Sequence, residues 1–186
     1  MKPERLAIYD TLTIDRSSHA TFDEGHCGLE LVAWLAGEPH GDHPECACPV
    51  VGAFVRSWND SLEDADRERL LRPVIPRLVG SRSTPEVHER RSYLALDWLI
   101  RVNTTEWLAL RDELKEHAAT LRGLSPLLSV QAVRDAAPKV LAARDAGDAG
   151  AAGAAWAAGA ALKSTSEKLQ ASALELIDAM LAVEED

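Results

Sequence analysis

The eighteen residues from Gly37 to Phe54, GEPHGDHPECACPVVGAF, hold two histidines, two cysteines, three acids and three prolines. Imidazole nitrogens and thiolates are the donors zinc prefers, four at a time in a closed structural site. His40, His43, Cys46 and Cys48 present them as H-x2-H-x2-C-x-C. Pro39, Pro44 and Pro49 restrict the unfolded loop and so reduce the entropy lost on ordering it. Four ligands this close in sequence crowd a single ion, so two or three of them plus a donor from elsewhere close a site more easily. Glu30 is the expected outside donor. It lies between Leu29 and Leu31 in a stretch that reads as buried, and an unpaired buried carboxylate is costly. A metal, an arginine or the loop's own N–H groups would each serve as its partner. His26 and Cys27 share a helix side with Glu30. His19 and Asp42 complete the candidate set.

Zinc is the metal expected on this chemistry, with iron or copper behind it. The expected function is therefore a small helical protein with a metal-binding loop over residues 37–50, with no reaction or substrate assigned. Two other readings use the same residues. In one, the chain is a helical interaction or adaptor module and the loop is purely structural. Cysteine then packs as a small hydrophobe, the histidines bond loop backbone, and Asp42 forms an Asx-turn. In the other, Cys46 and Cys48 form a redox pair, helped by a helix N-terminus near Pro49 that would lower a thiol pKa.

The stretch from Ser18 to Phe54, above all GEPHGDHPECACPV, resembles segments of uncharacterised bacterial and phage-borne proteins. The resemblance covers a small part of the chain and implies no activity. Familiar catalytic signatures are missing: there is no G-x-S-x-G, P-loop, dinucleotide fingerprint, H-E-x-x-H or zinc-deaminase pattern.

A formal net charge of −10 argues against nucleic-acid binding, which needs Lys and Arg against phosphates, and against an anionic membrane surface. No apolar run is long enough to span a bilayer. The opening MKPERLAIYD lacks the apolar core of a secretory leader, so a cytoplasmic location with reduced cysteines is expected. Charge reverses locally between Arg67 and Arg91. Arg90 and Arg91, beside Tyr93, are the candidates for an anion pocket, since guanidinium forks bind carboxylate or phosphate. The competing reading has the segment neutralising acidic faces within the fold.

The elements expected to position these groups are helical. The chain reads as mostly all-α: a single-domain multi-helix bundle over 1–186, with a short extended or β arm at 1–16 and a long C-terminal helix at 148–184. Leu6, Ile8, Leu12 and Ile14 alternate along the arm. Thr21 with Glu24 has capping-box spacing for a helix that stops near Gly37. Pro49 opens the next helix, with Val50, Val51, Phe54, Val55 and Trp58 on one face. Ser61 with Asp64 marks another start, interrupted by Pro73 and Pro76. Pro85 begins a helix, and Asn103 with Glu106 has the spacing of a further one. Trp34, Trp58, Trp98, Trp107 and Trp156 read as core anchors. Leu162, Leu169, Leu176 and Val183 recur every seven residues, a seam that either closes the bundle or pairs two copies of the chain.

Overall fold

The computed structural model describes the backbone of residues 1–150 and 159–185, and the side chains of 1–147 and 163–185. The chain is all-α: no strand occurs among the described residues. Its helices are α1 (Pro3–Leu6), α2 (Gly28–Ala36), α3 (Pro49–Ser61), α4 (Asp64–Leu71), α5 (Ile75–Leu78), α6 (Pro85–Asp97), α7 (Thr105–Leu108), α8 (Lys115–Arg122), α9 (Val130–Gly150) and α10 (Gly159–Leu181). Backbone contacts divide the chain into two compact units, Met1–Arg91 with Leu181–Asp186, and Ser92–Met180. The division falls inside α6, where the sequence was expected to form one domain over 1–186.

In the first unit α2 is the central helix. Leu29, Leu31, Val32, Ala33 and Leu35 are wholly buried, so it is apolar nearly all round, the pattern of a helix surrounded by protein. It packs on α3 and α5. Val51 and Val55 of α3, Leu71 of α4, Ile75 and Leu78 of α5 and Val87 of α6 are likewise wholly buried. Fully burying each such side chain contributes about 1.5–3 kcal/mol. Gly37 ends α2 at φ +84, where the N–H of Glu38 returns to the carbonyl of Ala33. Pro49 is the first residue of α3, and Pro85 the first of α6, as expected.

The N-terminal arm differs from its expected form. Pro3–Leu6 is a helical turn and Tyr9–Thr11 a 3₁₀ turn. Leu6 and Ile8 are about half exposed, while Tyr9 and Ile14 are the buried residues. The Lys2 N–H bonds the Leu35 carbonyl, and the Tyr9 hydroxyl bonds the Arg72 carbonyl at 2.9 Å. These anchors displace the period-two pattern.

In the second unit, Leu121, Leu124, Leu127, Ala136 and Ala143 form a core, with Ile100, Leu108 and Val140 packed against it. Asn103 and Glu106 start no helix. The chain stays helical from Pro85 to Leu108 through a π-helical segment, Trp98–Thr104. Pro138 lies inside α9 without splitting it. On α10, Leu169, Ala173, Leu176, Ile177 and Met180 are buried within this chain. Trp98 Nε1 donates to Ser172 Oγ at 3.0 Å, and Lys168 pairs with Glu106 at 2.9 Å. Of the seven-residue stripe, Leu169 and Leu176 are thus buried within this chain and Val183 is partly exposed. Trp156 and the Leu162 side chain lie outside the described residues. None of the other four tryptophans is fully buried, and Trp107 is exposed, so the core rests on aliphatic side chains instead.

Candidate functional site

Glu30 is the third residue of α2, and Cys27 is the N-cap. The first turn of a helix leaves N–H groups without intrahelical partners and carries the positive end of the helix dipole, so a carboxylate there is doubly favoured. Glu30 is 0% exposed. Its Oε2 accepts from the Cys27 N–H at 2.7 Å, and its Oε1 from the His19 N–H at 2.6 Å. His19 Nδ1 lies 3.0 Å from Oε2, and His40 Nε2 lies 3.4 Å from Oε1. An ionised carboxylate only accepts, so the His19 Nδ1 carries its proton towards it. His40 Nε2 also donates to the His19 carbonyl at 3.0 Å. Burial alone would raise the Glu30 carboxyl, but hydrogen bonds from the His19 N–H, the His19 ring and Cys27 outweigh it and hold the group below its ordinary range.

The approach to α2 departs from expectation. Thr21 and Glu24 do not start the helix. Phe22–Glu24 is a 3₁₀ turn, and Gly25 at φ +141 redirects the chain into Cys27. A Cβ at Gly25 would sit 2.8 Å from the His19 ring and 2.9 Å from Asp15 Oδ2. Asp15 and His26 clasp each other through Asp15 N–H to the His26 carbonyl (2.9 Å) and His26 N–H to Asp15 Oδ2 (3.1 Å). The His26 ring stacks on Phe22 with centroids 4.5 Å apart, and neither of its buried nitrogens has a hydrogen-bond partner among the described residues.

The remaining loop residues face other neighbours. His43 has a side chain 73% exposed, with Nδ1 2.6 Å from Asp42 Oδ1. Arg56 Nη1 donates to the Asp42 carbonyl at 2.6 Å. Glu38 accepts from the N–H groups of Glu45 (2.7 Å) and Cys46 (2.8 Å). Arg82 donates its N–H to the Cys46 carbonyl and Nη1 to the Glu45 carbonyl. Cys48 donates its N–H to Ser81 Oγ at 3.0 Å and is wholly buried as the N-cap of α3. Thus His19, His40, Cys27 and Glu30 meet at one point, while His43, Cys46 and Cys48 engage Asp42, Glu38 and Ser81. Among the described residues, no group of three or more His, Cys, Asp and Glu side chains has the geometry to hold a metal ion.

No known protein family, curated protein or solved structure matches this chain. The reading of the site rests on its own chemistry.

That chemistry is quiet at sulfur. Burial pushes the Cys27 thiol up to about 12. Burial, with the Glu38 carboxylate beside it, also raises Cys46. All three cysteines are free thiols. A raised pKa leaves little thiolate near neutral pH, and thiolate is the reactive form.

The arginine-rich segment turns towards backbone. Arg67, 2% exposed, donates to the carbonyls of Asn59 (2.9 Å) and Leu62 (2.5 Å) and to Asp64. Arg72 binds the carbonyls of Tyr9 and Leu12 together with Glu68. Arg91 binds the carbonyls of Ser81 (2.6 Å) and Val183 (3.1 Å), and Arg90 that of Glu184. Arg90 and Arg91 thus engage the chain's own C-terminal segment. The supporting residues Asp15, Glu38, Arg56, Ser81 and Arg82 were not among the sequence candidates. Their partners are backbone groups, which no residue spacing marks.

Proposed function

We propose that this chain is a helical binding module whose His/Cys loop is architecture. The supporting observation is where the loop's polar groups go. Glu30, Glu38, Ser81 and Arg82 bond the backbone that enters, lines and leaves it. The His19 imidazole bonds the buried carboxylate, and the His40 imidazole bonds the His19 carbonyl beside it. A loop locked this way needs no ion to close. It holds the starts of α2 and α3 in register and fixes a rigid surface beside them. No helix among the described residues is long and apolar enough to cross a membrane. Leu128, Val130 and Leu141, each about half exposed, offer apolar contact area in the second unit.

The test is hydrogen exchange on tag-free protein before and after chelation, with elemental analysis of the same sample. The Glu45, Cys46 and Cys48 amides should stay protected in metal-free protein, and Glu38→Ala should release the first two. The zinc reading predicts the opposite: stoichiometric metal, lost in His40→Ala and Cys46→Ala, and a loop that exchanges freely once the metal is removed.

A further inference from the structure

The loop and α3 enclose a cleft of about 400 Å³. Its accessible apolar lining is Pro44 and Pro49, while Leu29, Ala47 and Gly52, which also line it, are buried. Two guanidiniums stand on its border, Arg56 from α3 and Arg82 from the segment after α5. Each is fixed by one bond to loop backbone: Arg56 Nη1 to the Asp42 carbonyl, and Arg82 Nη1 to the Glu45 carbonyl. Arg56 Nη2 and Arg82 Nε and Nη2 have no hydrogen-bond partner among the described residues. Two pre-positioned forks beside an apolar wall form a receptor for an anionic head on an apolar body, because guanidinium N–H pairs match carboxylate geometry.

We infer that this cleft binds a small monocarboxylate with a compact apolar body, its carboxylate held by Arg56 and Arg82 and its apolar part against Pro44 and Pro49. The charge count favours a monoanion. Glu45 also lines the cleft, and the Asp42 carboxylate lies 3.9 Å from Arg56 Nε, so the two arginines are partly offset and a dianion would be poorly balanced. The inference rests on the loop being architectural, since the loop positions both arginines.

The experiment is amide NMR titration of the full chain with benzoate, inorganic phosphate and benzyl alcohol. Benzoate is expected to give saturable shifts at Leu29, Ala47 and Gly52, with phosphate and benzyl alcohol giving none. Arg56→Gln and Arg82→Gln should each weaken benzoate about tenfold, as loss of a hydrogen bond to a charged group does. Glu45→Gln should tighten it a few-fold by removing a like charge. The Glu45 side chain makes no hydrogen bond among the described residues, so this variant keeps the fold even if an arginine variant does not. Absence of saturable benzoate shifts, or equal benzoate affinity in wild type, Arg82→Gln and Glu45→Gln, overturns the site. Phosphate binding as tight as benzoate overturns the ligand class. Metal content tests the architecture and benzoate tests the cleft, so the two failures are separately visible.

Discussion

Replacing Glu30 by glutamine isolates the charge at the centre of the first unit with little change in shape. The amide retains one acceptor oxygen. Set at the Oε2 position, that oxygen still serves the Cys27 N–H and the His19 ring, now 2.7 and 3.0 Å away. The amide nitrogen then faces the His19 N–H, which had a 2.6 Å bond, and His40 Nε2 at 3.4 Å. A buried N–H loses its acceptor and meets another donor, which costs about 1–3 kcal/mol, and the surviving bonds lose their charge assistance. The expected loss is about 3 kcal/mol. For a chain of 186 residues this lowers Tm by about 6–12 °C.

Thermal and urea denaturation at pH 7 and pH 3 read the effect. The sign follows from linkage. The folded Glu30 carboxyl titrates below its ordinary value of 4.5, so its stabilisation is present above that pH and is lost as pH falls through the folded value. The gap between wild type and Glu30→Gln should therefore be wide at pH 7 and much narrower at pH 3. Titratable His19 and His40 and the protonated Cys27 face the carboxylate and are common to both proteins. A gap below about 1 kcal/mol at pH 7, or one equally wide at both pH values, would refute the account of Glu30 as an ionised, hydrogen-bonded keystone.

Thiol labelling of the native chain at pH 7.5 should modify at most one of the three cysteines within minutes, since Cys27 titrates at about 12 and Cys48 is wholly buried; guanidinium should expose all three. Gly25→Ala should destabilise by about 1–3 kcal/mol, because φ is +141 and the added carbon meets the His19 ring. Gly41→Ala, in the same loop region with nothing within 4 Å of its Cβ, should stay within about 0.5 kcal/mol. Arg67→Met strips hydrogen bonds from the Asn59 and Leu62 carbonyls and should cost about 2–4 kcal/mol by urea denaturation.

Helix boundaries set by local stereochemistry were readable in advance. Gly37 stops α2, and Pro49 and Pro85 open their helices, because each residue's own backbone preference makes the choice. The need of Glu30 for a partner was also readable, since apolar neighbours on both sides placed the carboxylate in the core. Patterns that compete with tertiary anchors misled. Thr21 and Glu24 had capping spacing, yet Glu30 caps α2 from inside, so the helix begins seven residues later at Gly28. The alternation of Leu6 to Ile14 yielded to helical turns once Lys2 and Tyr9 were tied to Leu35 and Arg72. Asn103 and Glu106 lost to helix continuation, where the Thr105 hydroxyl bonds the carbonyls of Arg101 and Val102 instead.

The deeper reason why the loop looked like a reactive centre is that its chemistry is directed at backbone. In a unit with long connections and no described strand, connector N–H and C=O groups have no ladder to pair in, and buried ones must still be satisfied. Charged side chains do it here, sorted by sign. Glu30, Glu38, Asp15, Asp60 and Glu68 accept from connector N–H groups. Arg16, Arg56, Arg67, Arg72, Arg82 and Arg91 donate to connector carbonyls, and Arg5 to a carbonyl in the last turn of α2. This division accounts for much of the arginine-rich segment and the acid-rich loop together: Arg67 and Arg72 each pair with an acid one turn away and spend their remaining donors on peptide carbonyls brought close by the fold. A cluster of polar residues in a helical protein therefore needs its backbone demand subtracted before any surplus is assigned to ligand chemistry. In this chain that subtraction uses Glu30, Glu38, Ser81 and one donor each from Arg56 and Arg82, and it leaves those two arginines, which line the cleft beside α3, as the surplus.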